Sequence, residues 1–335
     1  MPIIDVPVEL LRDFKRDPAG SARKFAAISV SAIQPFFSDY DALRKCIDFK
    51  RQNPFNDTTL TFDDSFHCQY TFNHYLCCDL SNTQNATGLC MVHVPRFVAV
   101  EVVGTTAKVA PFFKVDFLAK IRPQNLPGKR INYAAIREVI ISVRDKYGYN
   151  VSIITFDQFQ SADSVMILRE RGFLVETMSI DRTVHGWALD IHAQNHLVKY
   201  STGGSYAMPF MDMREAVSDG RLDVPAYGPM ELNHFEVEAR GLELKGDVVE
   251  KSEHSEDDMV QPMAGALFLA NINERYTQGR ELVDAAKMNR GPAQIVDGML
   301  SVHSEELDIG LSGSFNEDFG YENDPYFADT ENDWE

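Results

Sequence analysis

The 335-residue chain carries 50 acidic against 32 basic side chains, a formal net charge of −18 and a pI near 4.9, the reverse of the basic balance that marks most nucleic-acid-binding domains. With 44% hydrophobic and 11% aromatic residues it can bury a sizeable core, and no apolar run approaches the roughly 20 residues that span a bilayer. The opening MPIIDVPVELLRDF has acids where a secretory signal has basic and apolar residues, so a soluble, unexported protein without a membrane partner is expected.

Residues 1 to about 66 mix helical stretches, around Val8 to Phe14 and Tyr40 to Lys50, with Pro-containing turns, and read as a linker or accessory segment. From residue 67 the pattern changes. The β-rich runs Tyr70 to Leu80, Gly88 to Val94 and Lys108 to Ile121 follow one another across short polar links, as in an antiparallel meander. Ile131 to Tyr147 sets Ile136, Val139, Ile140 and Val143 at helical spacing, and Val151 to Phe156 is a β-branched buried strand. Ser161 to Gly172 is a helix with a Ser cap and a Gly stop, and Leu174 to Ile180 is a further strand. Together these predict an α/β fold with a mixed five-stranded sheet, three antiparallel strands and then parallel ones, flanked by helices.

Beyond Asp181 the signals weaken. Pro209 to Gly220 reads as a short helix, Glu231 to Lys245 as strand or helix, and Asp258 to Ile272 as a strongly apolar helix with Pro262 confined to its first turn. A main domain over residues 67–302 is expected, followed by an acidic, disordered tail over 303–335. Ser304 to Glu335 holds eleven acids and no Lys or Arg, and removing them leaves 39 acids against 32 bases, or −7. Five cysteines without CxxC spacing predict buried, reduced thiols rather than a zinc site or disulfide framework.

Three acidic positions stand at the edges of apolar elements. Asp79 ends YLCCDL, Asp157 ends VSIITFD, and Asp257 with Asp258 opens the helix after KSEHSE. A carboxylate at the C-terminal end of a buried strand is placed to face a ligand, and on neighbouring strands about 4.8 Å apart two of them can share a cation. Crowded carboxylates repel unless a hard divalent cation lies between them, and oxygen-only ligation suits Mg²⁺ or Mn²⁺. Each has a plainer reading beside this one: Asp79 as a turn residue, Asp157 and Asp258 as helix N-caps.

The words HYLCCDLSNTQNATGLCMV, ITFDQFQSADSVMILRERGFLVETMSIDRT and HSEDDMVQPMAGALF, in that order, resemble the nuclease domain of tailed-phage terminase large subunits, the DNA-packaging motors. The opening VPVELLRDFKRDPAGSARKFAAIS resembles the linker into that domain. The resemblance implies an RNase H-like fold and a metal-dependent DNA endonuclease that cuts concatemeric phage DNA in the host cytoplasm during packaging. By the same resemblance Asp79, Asp157 and Asp258 are catalytic and hold two Mg²⁺ or Mn²⁺ ions together with Asp257. Family members often continue the last motif with Asp and Ala, where this chain has Gln261 and Pro262. Implied partners are double-stranded DNA, a terminase ATPase domain or subunit, the small terminase subunit and the portal. No GxxxxGK[ST] phosphate loop occurs in the chain, so ATP hydrolysis is expected from elsewhere, whether this is an excised domain or a separately encoded nuclease.

Between Lys108 and Lys146 nine basic residues face three acids, and Lys120, Arg122, Lys129 and Arg130 are the expected phosphate contacts. A solvated helix face and charged hairpin tip is the plainer reading. No base-reading motif is present, so little sequence preference is expected. The competing functions are another RNase H-like nuclease, such as a Holliday-junction resolvase, and a non-catalytic packaging adaptor whose acidic tail docks onto a basic partner.

Overall fold

Apolar runs that lack helical spacing form the strands of this chain, and they assemble side by side. The computed structural model describes residues 6–16, 21, 22, 25, 33–69, 71–81, 85–100, 108–157, 161–178, 180, 185–190, 196–201, 208–228, 233–245, 248–288, 294–296 and 299–301. In chain order the elements are α1 (Leu11–Arg16), β1 (Ile33–Pro35), α2 (Tyr40–Lys45), β2 (Ile47–Gln52), β3 (Phe55–Asn56), β4 (Thr61–Phe62), β5 (His74–Asp79), β6 (Thr87–Val100) and β7 (Lys108–Ile121). There follow α3 (Tyr133–Asp145), β8 (Val151–Phe156), α4 (Ala162–Glu170), β9 (Val175–Thr177), β10 (His185–Asp190), β11 (His196–Ser201) and α5 (Met208–Ser218). The last elements of the main unit are β12 (Leu222–Ala226), α6 (His234–Arg240), β13 (Leu242–Lys245), β14 (Val248–Lys251) and α7 (Val260–Met288).

The main sheet has seven strands in the order β2-β12-β7-β6-β5-β8-β9. β5 and β6 are antiparallel, in register from His74↔His93 to Asp79↔Gly88. β8 runs parallel to β5, with Cys78 opposite Phe156, and β9 runs parallel to β8. The five strands β7-β6-β5-β8-β9 form the expected five-stranded mixed sheet, and β12 and β2 extend it beyond β7 in parallel pairings. Helices cover both faces. On one, α7, α5 and α2 contribute Met263, Leu267, Phe268, Phe210, Met213 and Leu43 to a core; on the other, α3 and α4 contribute Ile136, Ile140, Val143 and Leu168. A separate three-stranded sheet, β1-β13-β14, is antiparallel throughout.

Residues 33–66 differ from the expected accessory segment. β2 is a strand of the main sheet, and Phe36, Phe37, Leu43, Phe55, Phe62 and Phe66 are all buried. Phe66 stacks on Phe62 at 4.2 Å and on Tyr149 at 4.6 Å. Short Pro-interrupted pieces carry too few residues for a periodic signal, yet their rings contribute to the core. The helix expected over Tyr40 to Lys50 also stops at Lys45, with Cys46 as its C-cap and a strand from Ile47. The ambiguous stretch Glu231 to Lys245 contains both a helix and a strand, α6 and β13. Pro262 is the third residue of α7, where its missing N–H leaves no intrahelical bond unmade. A second compact unit comprises residues 99–110 and 277–335, of which a two-stranded antiparallel ribbon pairs Gln294–Val296 with Met299–Ser301. The acidic tail expected over 303–335 lies outside the described residues. Among the described residues no helix is long and apolar enough to cross a membrane.

Candidate active site

Asp79 is the last residue of β5 and Asp157 directly follows β8. These strands are parallel neighbours, and the Asp157 N–H donates to the Cys78 carbonyl at 3.3 Å. Two half-buried carboxylates therefore leave adjacent strands at the same sheet edge. Burial, with the charges of Asp79 and Asp157 nearby, pushes the Cys77 thiol up to about 12. Such a thiol stays protonated and cannot serve as a nucleophile.

Asp258 comes from the approach to α7. That helix lies across β5 and β6 on two glycine seats: a Cβ on Gly88 would stand 1.8 Å from the Asp258 carbonyl oxygen, and a Cβ on Gly265 would stand 2.6 Å from Cys77 Sγ. Gly88 is the register partner of Asp79, so the main chain of Asp258 crosses directly over the strand pair that ends in Asp79. Asp257 is buried and accepts a hydrogen bond from Lys251 Nζ at 2.9 Å.

Lys120 on β7, expected among the phosphate contacts, instead lies buried inside an acidic cluster. It is 5% exposed, and its ammonium reaches Glu238, Glu256 at 2.7 Å and Asp258 at 3.4 Å. From there it neutralises carboxylates and is closed off from an external phosphate. Glu238 on α6 does two jobs, since its other oxygen accepts the N–H groups of Met259 at 2.8 Å and Val260 at 3.3 Å, capping α7. One carboxylate oxygen from each of Glu238, Glu256 and Asp258 lies within 4.8 Å of the others; Asp79 and Asp157 are not in that group. Burial raises the pKa of Asp258 and of Glu238 above the usual carboxylate range against the pull of Lys120. Glu256 is exposed, and Lys120 and Arg122 outweigh its slight desolvation and hold its pKa below the usual value.

The remaining predicted DNA contacts are outward. Arg122 is 43% exposed and pairs with Glu256 at 2.6 Å, while Lys129 and Arg130 are exposed. Beside them a cleft of about 220 Å³ is lined by Asn85, Arg122, Gln124, Asn125, Lys251, Glu256 and Asp258. Its lining combines two bases, two acids and three amides. The acidic groups supply oxygen donors only, some of them buried with raised pKa values, which is the donor chemistry a hard divalent cation requires. Glu238 and Glu256 do not stand out in the sequence as site residues. A signal for Glu238 lies in its helix HFEVEAR, where Glu236 and Glu238 are both buried.

No protein-family model and no curated protein sequence matches the chain. Among solved structures it is similar to the large terminase of bacteriophage HK97, at 12% identity and a TM-score of 0.39 over 71% of this chain and 44% of that one. It is also similar to the large terminase nuclease from thermophilic phage G20c, at 11% identity and 0.37 over 69% and 95% of the two chains. The Thermus phage P74-26 large terminase nuclease domain gives 11% identity and 0.39 over 68% and 92%. The chain thus spans less than half the length of the HK97 protein.

Proposed function

We propose that this chain is a metal-dependent DNA endonuclease of the terminase kind, hydrolysing phosphodiester bonds of concatemeric phage DNA with little sequence preference. The supporting observation is the convergence at one sheet edge: Asp79 and Asp157 end adjacent parallel strands, and Asp258 crosses over the residue paired with Asp79. In this reading Asp79, Asp157 and Asp258 hold two Mg²⁺ or Mn²⁺ ions, with Asp257 in support. When bound, such ions supply Lewis-acid stabilisation of the charge that develops on the phosphate oxygens.

The chain's own residues do the rest. Glu238 pins the start of α7, which fixes where Asp258 points. Lys120 holds Glu238, Glu256 and Asp258 together against their mutual repulsion. Arg122, Lys129 and Arg130 track the DNA backbone through its phosphates and leave base edges unread. An ATPase domain or subunit, the small terminase subunit and the portal are the packaging partners that this role calls for.

The test is plasmid digestion with Mn²⁺ by the unsubstituted chain and by Asp157→Ala. Loss of nicking and linearisation in the variant is expected; cleavage that survives the substitution removes the assignment. A second reading, a non-catalytic packaging adaptor, is favoured by the ammonium of Lys120 beside Asp258, one of the carboxylates proposed to bind metal. Calorimetric titration in which the unsubstituted chain binds no Mn²⁺ would select it.

A further inference from the structure

Away from the carboxylate edge, three neighbouring strands bring together His74 on β5, His93 on β6 and Asp116 on β7. His74 stands directly opposite His93 in the antiparallel register. His93 Nδ1 lies 2.8 Å from Asp116 Oδ1, and His74 Nε2 lies 3.8 Å from Asp116 Oδ2. One ligand atom from each residue lies within 4.8 Å of the other two. Donors around a tetrahedral ion with bonds of about 2.0–2.1 Å sit about 3.3 Å apart, and the two observed separations, each to a different oxygen of Asp116, lie on either side of that value.

His93 Nδ1 and Asp116 Oδ1 hydrogen-bond to each other, but the second carboxylate oxygen is left over. Asp116 Oδ2 is buried without a hydrogen-bond partner, which costs free energy in a site closed to water. The side chains are 3%, 9% and 9% exposed for His74, His93 and Asp116. Aromatic neighbours hold the rings in place: Phe72 stacks on His93 at 5.1 Å, and Tyr149 meets His74 edge-on at 4.9 Å. An ion between the three residues gives Asp116 Oδ2 the partner that the protein alone withholds.

Two imidazoles and one carboxylate form a nitrogen-rich donor set, which suits Zn²⁺ and its borderline neighbours rather than Mg²⁺. We propose that His74, His93 and Asp116 form a zinc-class metal site that ties β5, β6 and β7 together. His74 opens β5 and Asp79 ends it, about 17 Å away along the strand. An ion at the histidines therefore takes no part in chemistry at the carboxylates, and the site stands or falls independently of the nuclease reading.

The test uses the full chain carrying Asp79→Asn, Asp157→Asn and Asp258→Asn, titrated with Zn²⁺ in excess Mg²⁺ so that oxygen-only sites do not contribute. One equivalent of bound Zn²⁺ is expected. Adding Asp116→Asn or His93→Gln should weaken it by more than the about 10- to 100-fold that loss of a ligand's hydrogen-bond partner brings. Absence of Zn²⁺ uptake, or uptake that survives both substitutions together, overturns the site. Where a substitution unfolds the chain by circular dichroism, Co²⁺ added to the parent chain decides: visible ligand-field absorption of a nitrogen-ligated ion supports the site, and its absence overturns it.

Discussion

Gly88→Ala tests whether the seat of α7 on β6 is what brings Asp258 to Asp79. The new Cβ would stand 1.8 Å from the Asp258 carbonyl oxygen and 2.9 Å from both Asp258 C and Pro262 Cγ. Main-chain atoms cannot rotate aside, so strand and helix must part by about 1.2 Å to reach 3.0 Å, below which such approaches essentially never occur. Overpacking of this kind costs about 1–3 kcal/mol, and at about 2–4 °C per kcal/mol for a domain of this size the melting temperature should fall by about 2–12 °C. The same movement displaces a proposed metal ligand by an ångström, a misplacement that costs about 100-fold in rate. Thermal unfolding measures the first effect, and plasmid cleavage with Mn²⁺, run well below the variant's melting point, measures the second. Gly265→Ala is the control: its clashes are with Cys77 Sγ and Ile180 Cδ1 at 2.6 Å, side-chain ends that can give way, and alanine favours the helix by up to about 1 kcal/mol. Gly88→Ala with unchanged melting and unchanged cleavage would refute the seating argument, as would an equal loss of rate in Gly265→Ala.

Lys120→Gln removes the ammonium from buried Glu238 and Asp258, and breaking a buried pair from one side costs about 3–5 kcal/mol; melting curves should show this loss, with partial recovery in excess Mg²⁺. Lys129→Ala with Arg130→Ala, made in an Asp157→Ala background, should weaken binding evenly across DNA sequences and lower the salt slope by about 1 for each phosphate no longer neutralised, read by fluorescence anisotropy. Asp57, whose carboxylate accepts from the Tyr227 hydroxyl and from the Lys120 N–H, is pushed up to about 6 by burial against those hydrogen bonds. A carboxylate raised in the folded state binds more protons there than in the unfolded chain, so its stabilising contribution is complete below its ordinary value of 3.8 and is lost as pH rises through about 6. Denaturation across that window should show the decline, and Asp57→Asn should flatten it.

The strands that carry Asp79 and Asp157 are legible because burial on both faces leaves an unbroken apolar run, and the first acid after the run marks the point where the chain meets solvent. In HYLCCD five buried residues precede the half-buried Asp79, and in VSIITF four buried residues end the strand just before Asp157. The start of α7 is legible for a similar reason, since two acids precede a long apolar helix. By contrast, β2 and β12 escape notice because they are short and mixed with charge, IDFKRQ and LDVPA, and their pairing with each other and with β7 joins residues far apart in the chain.

Glu238 and Lys120 are hidden by that same non-locality. They are 118 positions apart, and in one dimension Lys120 looks like Lys129, one more base in a basic stretch. The difference is in the neighbours: Leu118, on the same strand face as Lys120, is fully buried, as are Ala119 and Ile121 on the other face, so the strand does not alternate around Lys120, and a base within a doubly buried run needs an acid beside it. Charge count alone credits that lysine to DNA. Burial reassigns it to the carboxylates, where its ammonium and the Arg122 guanidinium stand against three acids and leave the cluster with one negative charge that a divalent cation can neutralise. On the proposed metal-dependent reading, Lys120 lets the acidic cluster fold before a metal arrives, which is why its removal is expected to be felt most strongly without Mg²⁺.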